Sequence, residues 1–283
     1  MRILIAGCGY VGLRLADRLN GLGHQVFGLR RNPEGPLPFL IWCRGDLTST
    51  EPLLLPERID AVVLAAGLRR DADERYQALF VDGYARLLET LRHTSLKRLV
   101  MVSTTGVFAE TDGAWVTEAS PVDTTRSPSR YYLDAEQQVL DARCSSVVVR
   151  LSGIYGPERF RLIREVREGR AVICPPPVHY LNHLHADDAA GAIAHLVTLA
   201  DPEPLYIASD REPADRNTVL QWIAHEIGAG ELPIDPRPEA RPGRRSGNKR
   251  CDASRLLASG YTFAFPTFRE GYRDLMARGL DKS

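Results

Sequence analysis

Lysine is almost absent from this chain. Of 36 basic residues 33 are arginine, and Lys97, Lys249 and Lys282 are the only lysines in 283 positions. Chemistry that needs an ammonium group therefore has three places to look. Net charge is absent as well, because 36 acidic residues balance the 36 basic ones. That argues against a general nucleic-acid or membrane-surface binder, which needs a positive field. Cysteine is sparse: Cys8, Cys43, Cys144, Cys174 and Cys251 are odd in number and form no CxxC pair. They read as free thiols of a cytoplasmic protein rather than as a disulfide frame or a zinc site. No apolar run approaches the roughly 20 residues that a membrane span requires. The apolar start Ile3–Ala6 is broken by Gly7 and Gly9 and followed by Arg14 and Asp17, so it does not read as a signal peptide.

What is present is a 44% hydrophobic chain, long enough for one large domain or a domain with a smaller lobe. Ile3–Ala6 reads as a strand, and Val11, Leu15 and Leu19 recur at helical spacing behind a glycine turn. Further apolar runs follow at Gln25–Leu29, Phe39–Cys43, Ala61–Ala66, Leu99–Ser103, Val147–Leu151 and Leu205–Ala208. Between them lie helical patterns at Tyr76–Leu91 and Leu133–Leu140, then Asp187–Leu199 and, after the last strand, Thr218–Ile227. Strands without alternation, separated by amphipathic helices, predict a doubly wound parallel α/β sheet covered on both faces. From Gly156 the character changes and proline becomes frequent. The expected division is a dinucleotide-binding Rossmann domain over 1–155, with 181–205 returning to it, and a small C-terminal substrate lobe from 156–180 and 206–283.

Gly7-x-Gly9-x-x-Gly12 stands between the first strand and the first helix, the context that a dinucleotide fingerprint requires. Gly7 permits the tight turn, Gly9 close approach of a pyrophosphate, and Gly12 close helix–strand packing. With Tyr10 and Val11 they form the expected phosphate site at a helix amino terminus. At the end of the second strand an NAD site places Asp or Glu; this chain has Arg30-Arg31. Two guanidiniums suit a 2′-phosphate, which favours NADP and leaves NAD open. The other reading is a pair of solvated loop arginines.

Taken in order, these segments resemble the extended short-chain dehydrogenase/reductase superfamily, specifically the NAD-dependent epimerase/dehydratase family. Gly7-Cys8-Gly9-Tyr10-Val11-Gly12 is similar to its glycine motif, in GxGxxG rather than GxxGxxG form. Asp46-Leu47 resembles the turn near the adenine, and Ala65-Ala66-Gly67 the fourth-strand cofactor loop. Phe80-Val81-Asp82-Gly83 stands where the family has a helix beginning with asparagine. Val102-Ser103-Thr104-Thr105-Gly106-Val107-Phe108 resembles its catalytic-serine strand, and Arg150–Pro157 and His185–Ala189 complete the match. The resemblance implies cofactor contacts from Ser103 and Tyr132, Thr104 orienting a substrate oxygen, and a tyrosine exchanging a proton during hydride transfer.

The family pairs that tyrosine with a lysine four residues later. Here Ala135 follows Tyr131 at that spacing and Glu136 follows Tyr132, and a register on Ala135-Glu136-Gln137 puts Tyr132 itself in the lysine slot. The chain thus resembles an atypical subgroup with a degenerate active site. Tyr131 and Tyr132 are the candidate acid/base residues, with Arg130 able to stand in electrostatically for the ammonium; the alternative is that both rings only pack.

Two further clusters have both a functional and a bland reading. His179, His183, His185, Asp187 and Asp188 are metal-ligand types, but the family match makes His185 and Asp187 a structural turn with Asp187 capping the next helix. Arg237, Arg241, Arg244, Arg245, Lys249 and Arg250 read as a solvated loop or a substrate-phosphate clamp. The sequence therefore predicts an NAD(P)-binding oxidoreductase or epimerase-like enzyme acting on a small hydroxyl or carbonyl substrate, a nucleotide sugar being one candidate. It binds neither nucleic acid nor membrane on this reading, and a homodimer is left open. The rival from another class is a silent NADP(H)-binding sensor or scaffold.

Overall fold

A computed structural model describes residues 1–68, 72–92, 94, 96–235 and 247–279. Arg237, Arg241, Arg244 and Arg245 of the expected arginine loop, and Lys282, lie outside the described residues.

Seven strands form the central sheet: β1 (Arg2–Ala6), β2 (Gln25–Arg30), β3 (Ile41–Arg44), β4 (Ala61–Leu64), β5 (Arg98–Thr104), β6 (Ser145–Leu151) and β7 (Leu205–Ala208). Their spatial order is β7-β6-β5-β4-β1-β2-β3. The registers of β1 with β2 and β4, of β2 with β3, and of β4 with β5 are all parallel. Strands one to three step outward on one side of β1, and the chain then crosses to place β4 on its other side. That reversal opens a crevice at the carboxyl ends of β1 and β4, the place where such sheets bind ligands. The apolar strands are buried on both faces: Ile3, Leu4 and Ile5 of β1, and Ala61 to Leu64 of β4, have no exposure.

The chain divides into two compact units. The first comprises Met1–Val107, Asp123–Arg150 and Ala189–Tyr206. Its core joins Leu4, Phe27, Val62, Leu64, Leu99 and Met101 of the sheet to Phe80, Tyr84 and Leu87 of the helical segment behind β4. That segment starts earlier than periodicity suggests and is not uniform. Helix Asp73–Tyr76 runs into a π-helical stretch, Gln77–Gly83, and continues as helix Tyr84–Thr90. Gly83 faces the Leu47 carbonyl, where a Cβ would sit 2.4 Å from the oxygen. The wider π turn and the missing side chain together let the Asp46–Leu47 turn lie against the helix.

The second unit comprises Phe108–Val122, Leu151–Asp188 and Ile207–Ser283. Short strand pairs organise it: Gly153–Tyr155 beside His183–His185, Tyr180–Leu181 against Ala214–Asp215, and Trp115–Val116 beside Arg250–Cys251. Its core gathers Tyr155, Phe160, Ile163, Leu220, Ile223, Phe268 and Tyr272. The expected role of Asp187 as a helix cap gives way to a different arrangement. The helix Ala186–Thr198 already contains Asp187 in its first turn, so Asp187 lies two positions too deep to cap it, and its own N–H donates to His185 Nδ1 at 3.2 Å. The buried neighbour Asp188 is the anchor: it accepts from the Tyr261 hydroxyl (2.9 Å) and from the backbone N–H of Ala264 and Phe265 (both 2.8 Å).

Among the described residues no three His, Cys, Asp or Glu side chains gather as a metal-holding group. His183 is instead a core residue at 5% exposure, edge-to-face with Tyr155 and Tyr272 at 5.6 and 5.8 Å between ring centroids. Burial lowers its pKa from 6.5 to about 4. An unfolded chain protonates this imidazole on acidification before the folded one does, so its contribution to stability is lost as pH falls from about 6.5 to about 4. The buried Asp210 nearby is shifted upward, chiefly by burial, and acts in the opposite sense. The two are separated by comparing the native chain with His183→Phe. In urea titrations the variant should gain about 3 kcal/mol on the native chain between pH 7 and pH 4. A pH-independent difference would exclude a buried neutral His183.

Candidate active site

At the carboxyl end of β1 each fingerprint glycine meets a separate steric demand. Gly7 has φ +98°, and a Cβ there would come within 2.2 Å of the Ala66 backbone nitrogen. Only glycine allows the loops after β1 and β4 to touch in this way. Gly12 faces the Gly7 carbonyl, where a Cβ would lie at 2.8 Å, so it sets the depth at which helix Tyr10–Gly21 seats on β1. At Gly9 a Cβ would meet nothing within 4 Å. The open side of the turn is therefore here, at the residue preceding the helix. No side chain caps that helix, and its first turn carries no acidic residue. Its amino terminus keeps the partial positive charge that suits a pyrophosphate. The donor set and the open cradle fit a dinucleotide.

Around this turn, Ala65 donates its N–H to the Ala6 carbonyl (2.8 Å), and the Tyr84 hydroxyl donates to the Ala66 carbonyl (3.2 Å). The β4 loop through Gly67 is thus tied to β1 on one side and to the helical segment on the other. Asp46 accepts from the Thr48 N–H (2.8 Å) and hydroxyl (2.7 Å). Burial pushes its carboxyl up, but the Thr48 hydrogen bonds and the charges of Arg31 and Arg75 outweigh that and hold it below the usual range. Arg30 ends β2 half-buried, and Arg31 is exposed.

Thr104 closes β5, and its hydroxyl accepts from the Gly106 N–H at 3.0 Å. The two candidate tyrosines, on helix Ser129–Leu140, have different surroundings. The Tyr132 ring lies 4.3 Å from Phe80, and burial pushes its phenol up to about 12. The Tyr131 ring stacks on Tyr76 at 6.2 Å, and its hydroxyl accepts from the Arg130 guanidinium at 2.5 Å. Arg130 also pairs with the Asp73 carboxylate at 2.9 Å, and the Ser127 hydroxyl donates to the same carboxylate. Asp73 and Ser127 were not legible as site residues, because they join Arg130 only through folding.

Glu136, four residues after Tyr132, is committed to a buried network. Its carboxylate accepts from the Ser103 hydroxyl at 2.5 Å and from Arg150 Nε and Nη2 at 3.1 and 2.7 Å. Both charged side chains are 6% exposed. The position four residues after Tyr132 thus holds half of a buried bidentate ion pair. The cation comes from β6, and Ser103 is bound to the carboxylate.

Residues 3–208 match the NAD dependent epimerase/dehydratase family. Over 280 residues the chain is 26% identical to Protein YeeZ of Escherichia coli K12, covering 94% of this chain and 96% of that one. Among solved structures, a Methylobacillus flagellatus protein provisionally described as an NAD-dependent epimerase/dehydratase is 32% identical. It covers 98% of both chains with a TM-score of 0.79. MoeE5 in complex with UDP-glucose and NAD is 23% identical, covers 99% of this chain and 100% of its own, and shares the fold at a TM-score of 0.78.

The Glu136–Arg150 pair generates a stability prediction. Removing one partner leaves an uncompensated buried charge, which costs about 3–5 kcal/mol. Glu136→Gln and Arg150→Met should each lower the unfolding free energy, measured by urea titration, by that amount. The paired replacement should recover much of the loss; strictly additive losses would show that the two groups do not act as a pair.

Proposed function

The chain belongs to the NAD-dependent epimerase/dehydratase family, and from that premise we propose that it is an NADP(H)-binding oxidoreductase of hydroxyl or carbonyl substrates. The observation that carries the reading is the open glycine turn at the junction of β1 and β4, with its uncapped helix. When bound there, the nicotinamide cofactor supplies or accepts hydride. Gly7, Gly9, Tyr10, Val11 and Gly12 hold the pyrophosphate on this reading, and Asp46, Leu47, Ala65, Ala66 and Gly67 border the cofactor. Ser103 stands beside it with its hydroxyl committed to Glu136. The first unit serves as the cofactor domain and the second as the substrate lobe.

Arg30 and Arg31 support the phosphorylated cofactor over NAD, since the end of β2 offers two cations and no carboxylate to compete for the ribose. The family and the UDP-glucose complex of MoeE5 support a nucleotide sugar as the substrate class. For the acid/base, Tyr131 is favoured over Tyr132. The Tyr131 hydroxyl meets the Arg130 guanidinium, whereas Tyr132 has an apolar wall and a raised pKa. Thr104 holds the substrate oxygen. The protein acts in the cytoplasm on this reading.

The lack of a lysine four residues after either tyrosine favours a second reading, in which the chain binds NADP(H) and does not turn over. Oxidation of NADPH against a panel of carbonyl compounds and nucleotide sugars separates the two. Tyr131→Phe and Thr104→Ala should each lower the rate about 100-fold, the scale of one lost acid/base contact. Tyr132→Phe should keep most of it. Binding without oxidation across the panel supports the silent reading; equal losses from both tyrosines would remove the distinction drawn here.

A further inference from the structure

At the end of β2 lies an arrangement that neither the glycine motif nor the family match describes. Trp42, on β3, pairs in register with Gly28 on β2, and Arg30 pairs with Arg44. Gly28, Arg30 and Trp42 therefore share one face of the sheet, since side chains alternate along a strand. A Cβ at Gly28 would lie 2.9 Å from the indole, and a Cβ at Gly35 would also lie 2.9 Å from it. Two positions without side chains, one in the strand and one in the following loop, make the space that the ring fills. Over this ring lies the Arg30 guanidinium, its carbon 5.7 Å from the ring centroid. Its Nη1 donates to the Glu34 carbonyl at 3.0 Å.

We propose that Trp42 is the specificity-positioning residue of the cofactor site: a shelf that holds Arg30 in the orientation that reads a ribose 2′-phosphate. The inference rests on the cofactor reading above and adds how discrimination is built. A long arginine loses rotamer freedom when it binds an anion, and that loss weakens the gain. Stacking on the indole and the bond to Glu34 fix the side chain beforehand. With Nη1 committed to Glu34, the Nε/Nη2 edge is the fork that matches a phosphate. Trp42 need not touch the phosphate; its effect passes through Arg30. Arg31, exposed one residue further on, adds charge without a comparable support.

The test uses two soluble probes, adenosine 2′,5′-bisphosphate and 5′-AMP, alongside NADPH and NADH, each titrated by calorimetry against the full chain. The native protein should prefer the 2′-phosphorylated member of each pair. Trp42→Leu, which keeps apolar bulk but removes the π face, should reduce that preference about fivefold, the scale of a partly buried cation–π contact. Affinity for 5′-AMP and NADH should be retained, which also reports that the variant is folded. Arg30→Gln should abolish most of the preference, and Trp42→Leu added to it should change the preference no further. An unchanged ratio in Trp42→Leu, or the same reduction in the Arg30→Gln background, overturns the shelf while leaving the NADP(H) assignment intact. A native protein without 2′-phosphate preference overturns both.

Discussion

The loops that follow β1 and β4 approach so closely at Gly7 and Ala66 that no side chain fits between them. The arrangement at the carboxyl ends of β1 and β4 follows from this contact. It requires β1 and β4 to be neighbours, which forces the chain to cross over after β3 and opens the crevice. It turns the backbone at Gly7 to positive φ, so that the next residues point a helix amino terminus across the opening. Gly12 then fixes the depth of that helix. The open turn made in this way is formed by backbone, with glycine required at positions 7 and 12.

The same sheet carries a second, buried constraint at its middle. No lysine stands on helix Ser129–Leu140. Glu136 instead faces inward to Arg150, and the pair satisfies Ser103 as well. Its charges are spent on each other in a dry environment, where an isolated charge would be untenable. Arg130, by contrast, is half-exposed and bonded to the Tyr131 hydroxyl at the rim. The near-absence of lysine and the excess of arginine thus have structural counterparts in unit one. Guanidiniums take a buried bidentate role at Arg150, a rim role at Arg130 and a stacked role at Arg30.

Much of the fold was legible because its signals are local. Continuous apolar runs marked the buried strands, and the glycine spacing marked the first turn with its reasons attached. The helix behind β4 was legible as a helix but not as an interrupted one. Its π stretch answers to the Leu47 carbonyl, which is 36 residues away in sequence from Gly83. Asp187 was read as the cap because aspartate before an alanine-rich run is a common start signal. The choice between Asp187 and Asp188 depends on the Tyr261–Phe265 segment, which accepts only the second. The site residues divide along the same line. Arg30 and the glycines announced themselves, while Asp73, Ser127 and the Glu136–Arg150 pairing exist only as tertiary contacts.

The aromatic wall beneath the two tyrosines shows why adjacency in sequence says little about chemistry. Tyr131 and Tyr132 differ by about 100° around their helix. Tyr76 and Phe80 rise from the facing segment and take a ring from each: Tyr76 stacks on Tyr131, and Phe80 lies against Tyr132. Both rings contribute to one apolar layer, so packing alone gives both a role. What separates them is the environment of the hydroxyl. At Tyr131 it meets Arg130, which is also paired with Asp73 at a half-exposed position. At Tyr132 burial dominates and the phenol stays protonated. One residue of helix rotation therefore gives the two hydroxyls different surroundings, with no change in residue type.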